Sequence, residues 1–245
     1  MTTRIDEIAD GVFRISTLVT AINPPAGFSF NQFLVRADEP FLFHCGHRKM
    51  FPEIAAAVAR VLPVERLRWV SFSHVEADEC GALEAWLAAA PHSVAAHGAV
   101  GCRIWVSDVT DRMRVLRDGE VLDLGGKRVR HLDTPHLPHG WDAGLLYEET
   151  TSTLFCSDIF GHGGDGPALT SDDLCARAIE AEERSRSMSL TPATPATLRR
   201  LAALAPKTLA VMHGSSFAGD AAASLEALAQ HSALVLTEAA APPRP

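Results

Sequence analysis

The run Ser73-His74-Val75-Glu76-Ala77-Asp78-Glu79-Cys80-Gly81 carries one imidazole and three carboxylates in close succession. His74, Glu76 and Asp78 alternate, and Glu79 follows at once. Structural zinc sites are rich in thiolate and imidazole, whereas this many hard oxygen donors suits iron or manganese, and a pair of ions rather than one. Acidic residues in the first turn of a helix also cap free N–H groups and complement the helix dipole. That accounts for Asp78 and Glu79 but leaves His74 and Glu76, which precede the helix, unexplained. Cys80 reads as a small packing residue rather than a ligand.

What must position this run is a strand-to-helix turn. Residues 67–72 (Leu-Arg-Trp-Val-Ser-Phe) form an apolar run expected as a buried strand, and residues 82–87 are expected as a helix. Three later segments share the arrangement of a metal-binding residue type after an apolar strand or in a tight polar turn. The segment from Asp133 to Asp142 offers His136 and His139 between two prolines and a glycine; Phe155-Cys156-Ser157-Asp158 ends a strand; Val211-Met212-His213-Gly214 ends another. Each alone has a bland reading as turn, cap or packing residue. Repetition argues against it, because strand ends on one edge of a sheet sandwich converge in space.

The remaining pattern predicts two blocks of strands followed by helices. The first has strands at 11–15, 31–36 and 41–46, a helix opened by Pro52, the strand at 67–72 and a short strand at 94–96. The second has a hairpin over 120–132 with Gly125-Gly126 at its turn, a pair at 144–148 and 153–158, helices at 172–184 and 194–204, a strand at 208–212 and a last helix. Packed sheet to sheet, these give an α/β four-layer sandwich of two mixed β-sheets flanked by helices. No linker divides the chain, so residues 1–238 are expected as one domain, with a disordered tail over 239–245.

Composition excludes other classes. The 245 residues are 47% hydrophobic and 21% charged, with net charge -8 and no basic stripe, which speaks against nucleic acid and anionic membranes as partners. No apolar run reaches membrane-spanning length and the N-terminus lacks a signal-peptide core. Five cysteines without a C-x-x-C pair point to reduced thiols in a cytoplasm.

The order H-x-E-x-D, a His-rich turn, S-D at a strand end and then H-G resembles the metallo-β-lactamase superfamily. More narrowly it resembles the di-iron domain of flavodiiron proteins and their free-standing oxygen-binding relatives. Glu76 stands where hydrolases of the superfamily carry a second His, and Asp158-Ile159-Phe160-Gly161 resembles the di-iron branch's D-x-F-G. The resemblance implies the metallo-β-lactamase fold and two iron ions, with zinc or manganese as the alternative. One ion would take His74, Glu76 and His139, the other Asp78 and His213, with Asp158 between them. His136 is the weaker candidate in its loop, as ligand or supporting contact. Glu79 stands where the family often has His; it either binds the second metal or turns away.

The resemblance further implies a non-haem di-iron protein that binds dioxygen or nitric oxide, and reduces or senses it. The chain is too short for an FMN-binding domain of its own, so electrons are expected from a separate donor protein; a homodimer is expected. The alternative is a metal-dependent hydrolase using a metal-bridging hydroxide, and a metal-free module comes third. His44, at a strand end, reads equally as a contact behind the ligands or as packing. His97 and His162 are candidates for the pocket mouth, and Phe28, Phe30, Trp141, Phe160 and Phe217 for an apolar lining. Tyr147 reads as core.

Overall fold

The computed structural model describes residues 2–240. Its first sheet contains β1 (Thr2–Ala9), β2 (Val12–Val19), β3 (Phe28–Val35), β4 (Phe41–Phe43), β5 (Trp69–Ser71), β6 (Val94–Gly98) and β7 (Met113–Leu116), side by side in that order. The first four are antiparallel; β4 to β7 run parallel. The second sheet contains β8 (Val121–Asp123), β9 (Arg128–Asp133), β10 (Gly144–Glu148), β11 (Thr153–Ser157), β12 (Leu169–Thr170), β13 (Thr208–Val211) and β14 (Ser216–Ala218). Their spatial order is β12-β14-β13-β11-β10-β9-β8, with β11 parallel to β13 and most other pairs antiparallel. Both sheets are therefore mixed.

Strand alternation sorts the apolar residues into layers. Phe33, Val35, Phe41 and Phe43 of the first sheet meet Leu146, Phe155 and Ala210 of the second between the sheets. The intervening positions, among them Ile15, Leu34, Leu42 and Val70, face the other way. They are covered by α1 (Phe51–Val58) and α3 (Leu83–Ala89), whose Trp86 is fully buried and donates Nε1–H to the Cys45 carbonyl at 2.8 Å. On the second sheet Leu145, Leu154, Leu209 and Val211 face α6 (Leu174–Ser185), α7 (Thr194–Ala202) and α8 (Ala221–Ala240). Between β5 and α3 lies the one-turn α2 (Ala77–Cys80); α4 (Ala99–Gly101), a wide turn over Cys102–Val106 and α5 (Ser107–Val109) lead into β7. The arrangement is the expected four-layer αβ/βα sandwich of the metallo-β-lactamase fold.

Several elements differ from the sequence expectation. β1 and β7 are edge strands whose outer residues stay exposed, so they lack the apolar alternation that marks a half-buried strand. The helical segment 99–109 was likewise not expected. At the other end α8 runs through Ala240, so residues 239 and 240 are helical rather than part of a tail; residues 241–245 lie outside the described residues. No helix among the described residues is long and apolar enough to cross a membrane.

Candidate metal centre

Six side chains come to one edge of the sandwich from four strand ends. His74 follows β5; Glu76 is the residue before α2 and Asp78 lies in its first turn. His139 sits in the loop between β9 and β10, Asp158 directly after β11, and His213 after β13. Because β9, β11 and β13 all point the same way, their C-terminal ends share one edge.

The backbone aims each side chain. Ser157, last in β11, has φ +51°, and the register with β13 slips between Phe155 and Ser157, a bulge that turns Asp158 towards the site. The His213 turn is fixed from the first sheet. Asn31 Nδ2 donates to the Val211 and Gly214 carbonyls at 2.7 and 2.9 Å, Arg14 donates to Gly214 O at 2.8 Å, and Ser29 Oγ accepts the Gly214 N–H at 2.8 Å. Gly214 has φ +94°, and a Cβ there would come within 2.3 Å of His162 Nε2, so glycine is required. On the opposite side Asp142 accepts the Val75 N–H at 2.8 Å and holds the His74 turn against the His139 loop.

The distances define two overlapping groups. Glu76 Oε2 lies 3.0 Å from His74 Nε2 and 2.9 Å from His139 Nε2, and Asp158 Oδ2 lies 3.6 and 3.5 Å from the same two nitrogens. One donor atom from each of these four residues falls within 4.8 Å of every other. Across Asp158, Oδ1 lies 3.0 Å from His213 Nε2, which is 3.5 Å from Asp78 Oδ2. All three histidines present Nε2 to carboxylates. Behind them His74 Nδ1 lies 2.7 Å from Ser73 Oγ and His213 Nδ1 2.9 Å from Ser29 O.

In this arrangement protons stand where cations would. Burial disfavours charge on His74 and His213, but the surrounding carboxylates, led by Glu76 and Asp158 respectively, together outweigh it, and both imidazoles are raised to about 9. Hydrogen bonding with His139, then His74, drives the Glu76 carboxyl far below its usual range. Burial, followed by the neighbouring Glu79 charge, pushes Asp78 up to about 6. Asp158 Oδ1 is buried at the midpoint of the cluster and faces His213 Nε2, with no other polar partner. The imidazole nitrogens and carboxylate oxygens of His74, Glu76, His139 and Asp158 are a donor set that fits a divalent ion, with Asp78 and His213 adjoining it.

Glu79 does not join them. Its carboxylate is buried behind the site, with Oε2 2.9 Å from His44 Nε2 and Oε1 accepting the Ser157 hydroxyl at 2.9 Å. Of the two readings left open for it, binding the second metal or turning away, the observed orientation is the second, with His44 and Ser157 at its oxygens. Burial would raise its carboxyl, yet the facing His44 holds it low. His44 is thus a contact behind the ligands. His136 is exposed and outside the cluster. His97 is buried with Nε2 3.2 Å from Ser73 O, away from the mouth, whereas His162 lines the cavity and accepts the Ser215 N–H at 3.0 Å. Of the proposed apolar lining, Phe28 and Phe160 face the cavity, Phe217 is core and Trp141 is 61% exposed. Tyr147 is core as expected. Sequence reasoning gave no role to Ser73, Ser157 or His47; the last packs against Phe30, which also meets Phe28 and His213. The cavity over the site holds about 440 Å³.

This fold and this edge-on cluster place the chain in the metallo-β-lactamase superfamily, near the flavodiiron proteins. The chain belongs to the ODP family of beta-lactamases, whose model matches residues 28–214. Among curated relatives, rubredoxin-oxygen oxidoreductase of Megalodesulfovibrio gigas is 25% identical over 204 residues, 80% of this chain and 50% of its own length. The anaerobic nitric oxide reductase flavorubredoxin of Aeromonas hydrophila subsp. hydrophila is 26% identical over 174 residues, 69% of this chain and 35% of the relative. The chain therefore spans half or less of these relatives. Among solved structures, rubredoxin oxygen:oxidoreductase from Desulfovibrio gigas superposes with TM-score 0.81 at 20% identity, covering 94% of this chain and 62% of that one. The flavodiiron protein from Giardia intestinalis gives 0.76 at 16% identity, covering 95% and 60%.

Proposed function

We propose that this chain is a non-haem di-iron protein that binds dioxygen or nitric oxide. The observation that carries the reading is the pair of donor groups meeting at Asp158. His74, Glu76 and His139 would hold one iron, Asp78 and His213 the other, and Asp158 both. Such a pair supplies one-electron redox steps and coordination positions for a diatomic ligand. The chain's own contribution is positional. Its three carboxylates only partly offset two divalent cations, which favours ligands that take up negative charge. Hydrogen bonding from Nδ1 keeps His74 and His213 turned Nε2-first towards the site. Phe28 and Phe160 give the cavity over it part of an apolar lining. The names of two relatives, an oxygen oxidoreductase and a nitric oxide reductase, support the ligand class. Electrons would come from a separate donor protein. The five buried free cysteines accord with a reducing cytoplasm, and a homodimer is part of the proposal.

Metal analysis of protein purified without oxygen tests this. About two irons per chain and an optical change on admitting air are expected; two zincs and no optical response would overturn it. The hydrolase reading with a metal-bridging hydroxide is favoured by one observation, a cavity of about 440 Å³ that exceeds what a diatomic needs. Turnover of small esters, lactones or thioesters by the zinc form and not the iron form would decide for hydrolysis.

A further inference from the structure

Behind the cluster runs an unbroken line of buried polar groups. His74 Nδ1 lies 2.7 Å from Ser73 Oγ, Ser73 Oγ 2.6 Å from Ser157 Oγ, and Ser157 Oγ 2.9 Å from Glu79 Oε1. The other Glu79 oxygen faces the Ser73 backbone N–H at 3.3 Å and His44 Nε2 at 2.9 Å. Each of these residues is buried.

Counting protons fixes the direction of every bond. A carboxylate has none to give, so Ser157 donates to Glu79. A hydroxyl has one proton, so Ser157, having spent it, accepts from Ser73. Ser73 has then spent its own and accepts from His74 Nδ1–H. Once the Nε2 proton is displaced, the neutral His74 keeps its proton on Nδ1 and offers a lone pair on Nε2, the nitrogen that faces Glu76 and Asp158. We propose that Glu79 is a positioning residue that sets the metal-binding tautomer of His74 through the hydroxyls of Ser157 and Ser73. The inference rests on the metal-site reading above. It gives Glu79 a role distinct from that of a ligand.

Glu79→Gln tests the direction of the chain at almost unchanged shape. The Ser73 N–H holds the amide oxygen at the Oε2 position, which turns the amide NH2 towards Ser157 and reverses the order of donation. Ser157→Ala breaks the chain at its middle. Should that variant not fold, Ser157→Gly removes the same hydroxyl at a φ of +51° that suits glycine.

The measurements are stepwise zinc affinity by chelator competition and the imidazole ¹⁵N–¹H spectrum of the zinc-loaded chain. Each single variant is expected to weaken the tighter-held first equivalent about 10–100-fold, the usual cost of losing a hydrogen-bond partner behind a ligand. Each should also speed exchange of the His74 Nδ1–H. The double variant should be no weaker than the worse single, because both interrupt one chain. Wild-type affinity and exchange in the single variants, or losses that multiply in the double variant, would overturn the proposal. Failure of the wild-type chain to bind zinc at all would instead overturn the metal-site reading beneath it.

Discussion

At the scale of single residues, Asp158 is the side chain on which the proposed centre depends, because it alone faces both donor groups. Asp158→Ala should lose most of the bound metal and leave a folded, weakened protein; retention of two metals per chain, by elemental analysis, would remove Asp158 from the site. The same cluster predicts opposite pH trends with and without metal. In the metal-free chain His74 and His213 are raised from 6.5 to about 9. Their contribution to stability is complete below about pH 6.5 and is lost as pH rises through about 9. Metal must displace those protons, so affinity should climb over the same interval. Melting temperatures of both forms between pH 6 and 9 check this: the metal-free value should fall while the gain from added metal grows. Residue types and spacing pointed to the four strand ends, since His, Glu and Asp have few structural reasons to recur there; the choice of His139 over His136 came from the family resemblance. The orientation of Glu79 was not legible. It depends on His44, thirty-five positions earlier, and on a serine from the other sheet, neither of which local spacing reveals.

At the scale of elements, strands buried on one or both faces announced themselves. The pairs β3/β4 and β10/β11 and the hairpin β8/β9 fall where apolar runs and glycine turns put them. β1 and β7 did not, because an edge strand in contact with solvent has no need of apolar alternation, and Thr2 to Ala9 is mixed in polarity. The strand ends that deliver ligands carry backbone strain that only the fold reveals, such as the left-handed Ser157. The turn after β13 gives the sharpest test. Gly214→Ala combines a positive φ with a Cβ placed against His162 and should cost about 2 kcal/mol or more of stability. It should also loosen His213, so the denaturation midpoint and the metal content should drop together.

At the scale of the whole molecule, the seam between the sheets is apolar and aromatic. Phe155 meets Phe33 at 5.5 Å and Phe43 at 5.6 Å between ring centroids, with all three side chains fully buried. Phe155→Ala should therefore cost about 3–5 kcal/mol, a value typical of a large core side chain that leaves a cavity. A loss below about 1 kcal/mol by urea unfolding would mean that the sheets adhere by other contacts. The alternation that builds this seam was readable one strand at a time. The pairing of one sheet with the other was not, since no local pattern says which two faces meet.

The six converging side chains divide evenly along the chain. His74, Glu76 and Asp78 are synthesised early, whereas His139, Asp158 and His213 come from the second sheet, the last of them close to the end of the fold. A polypeptide emerging from the ribosome thus presents only a partial donor set until β13 and the turn after it are in place. A redox-active ion would find no complete berth on the first sheet alone, and its capture would have to wait until the second sheet had closed against it.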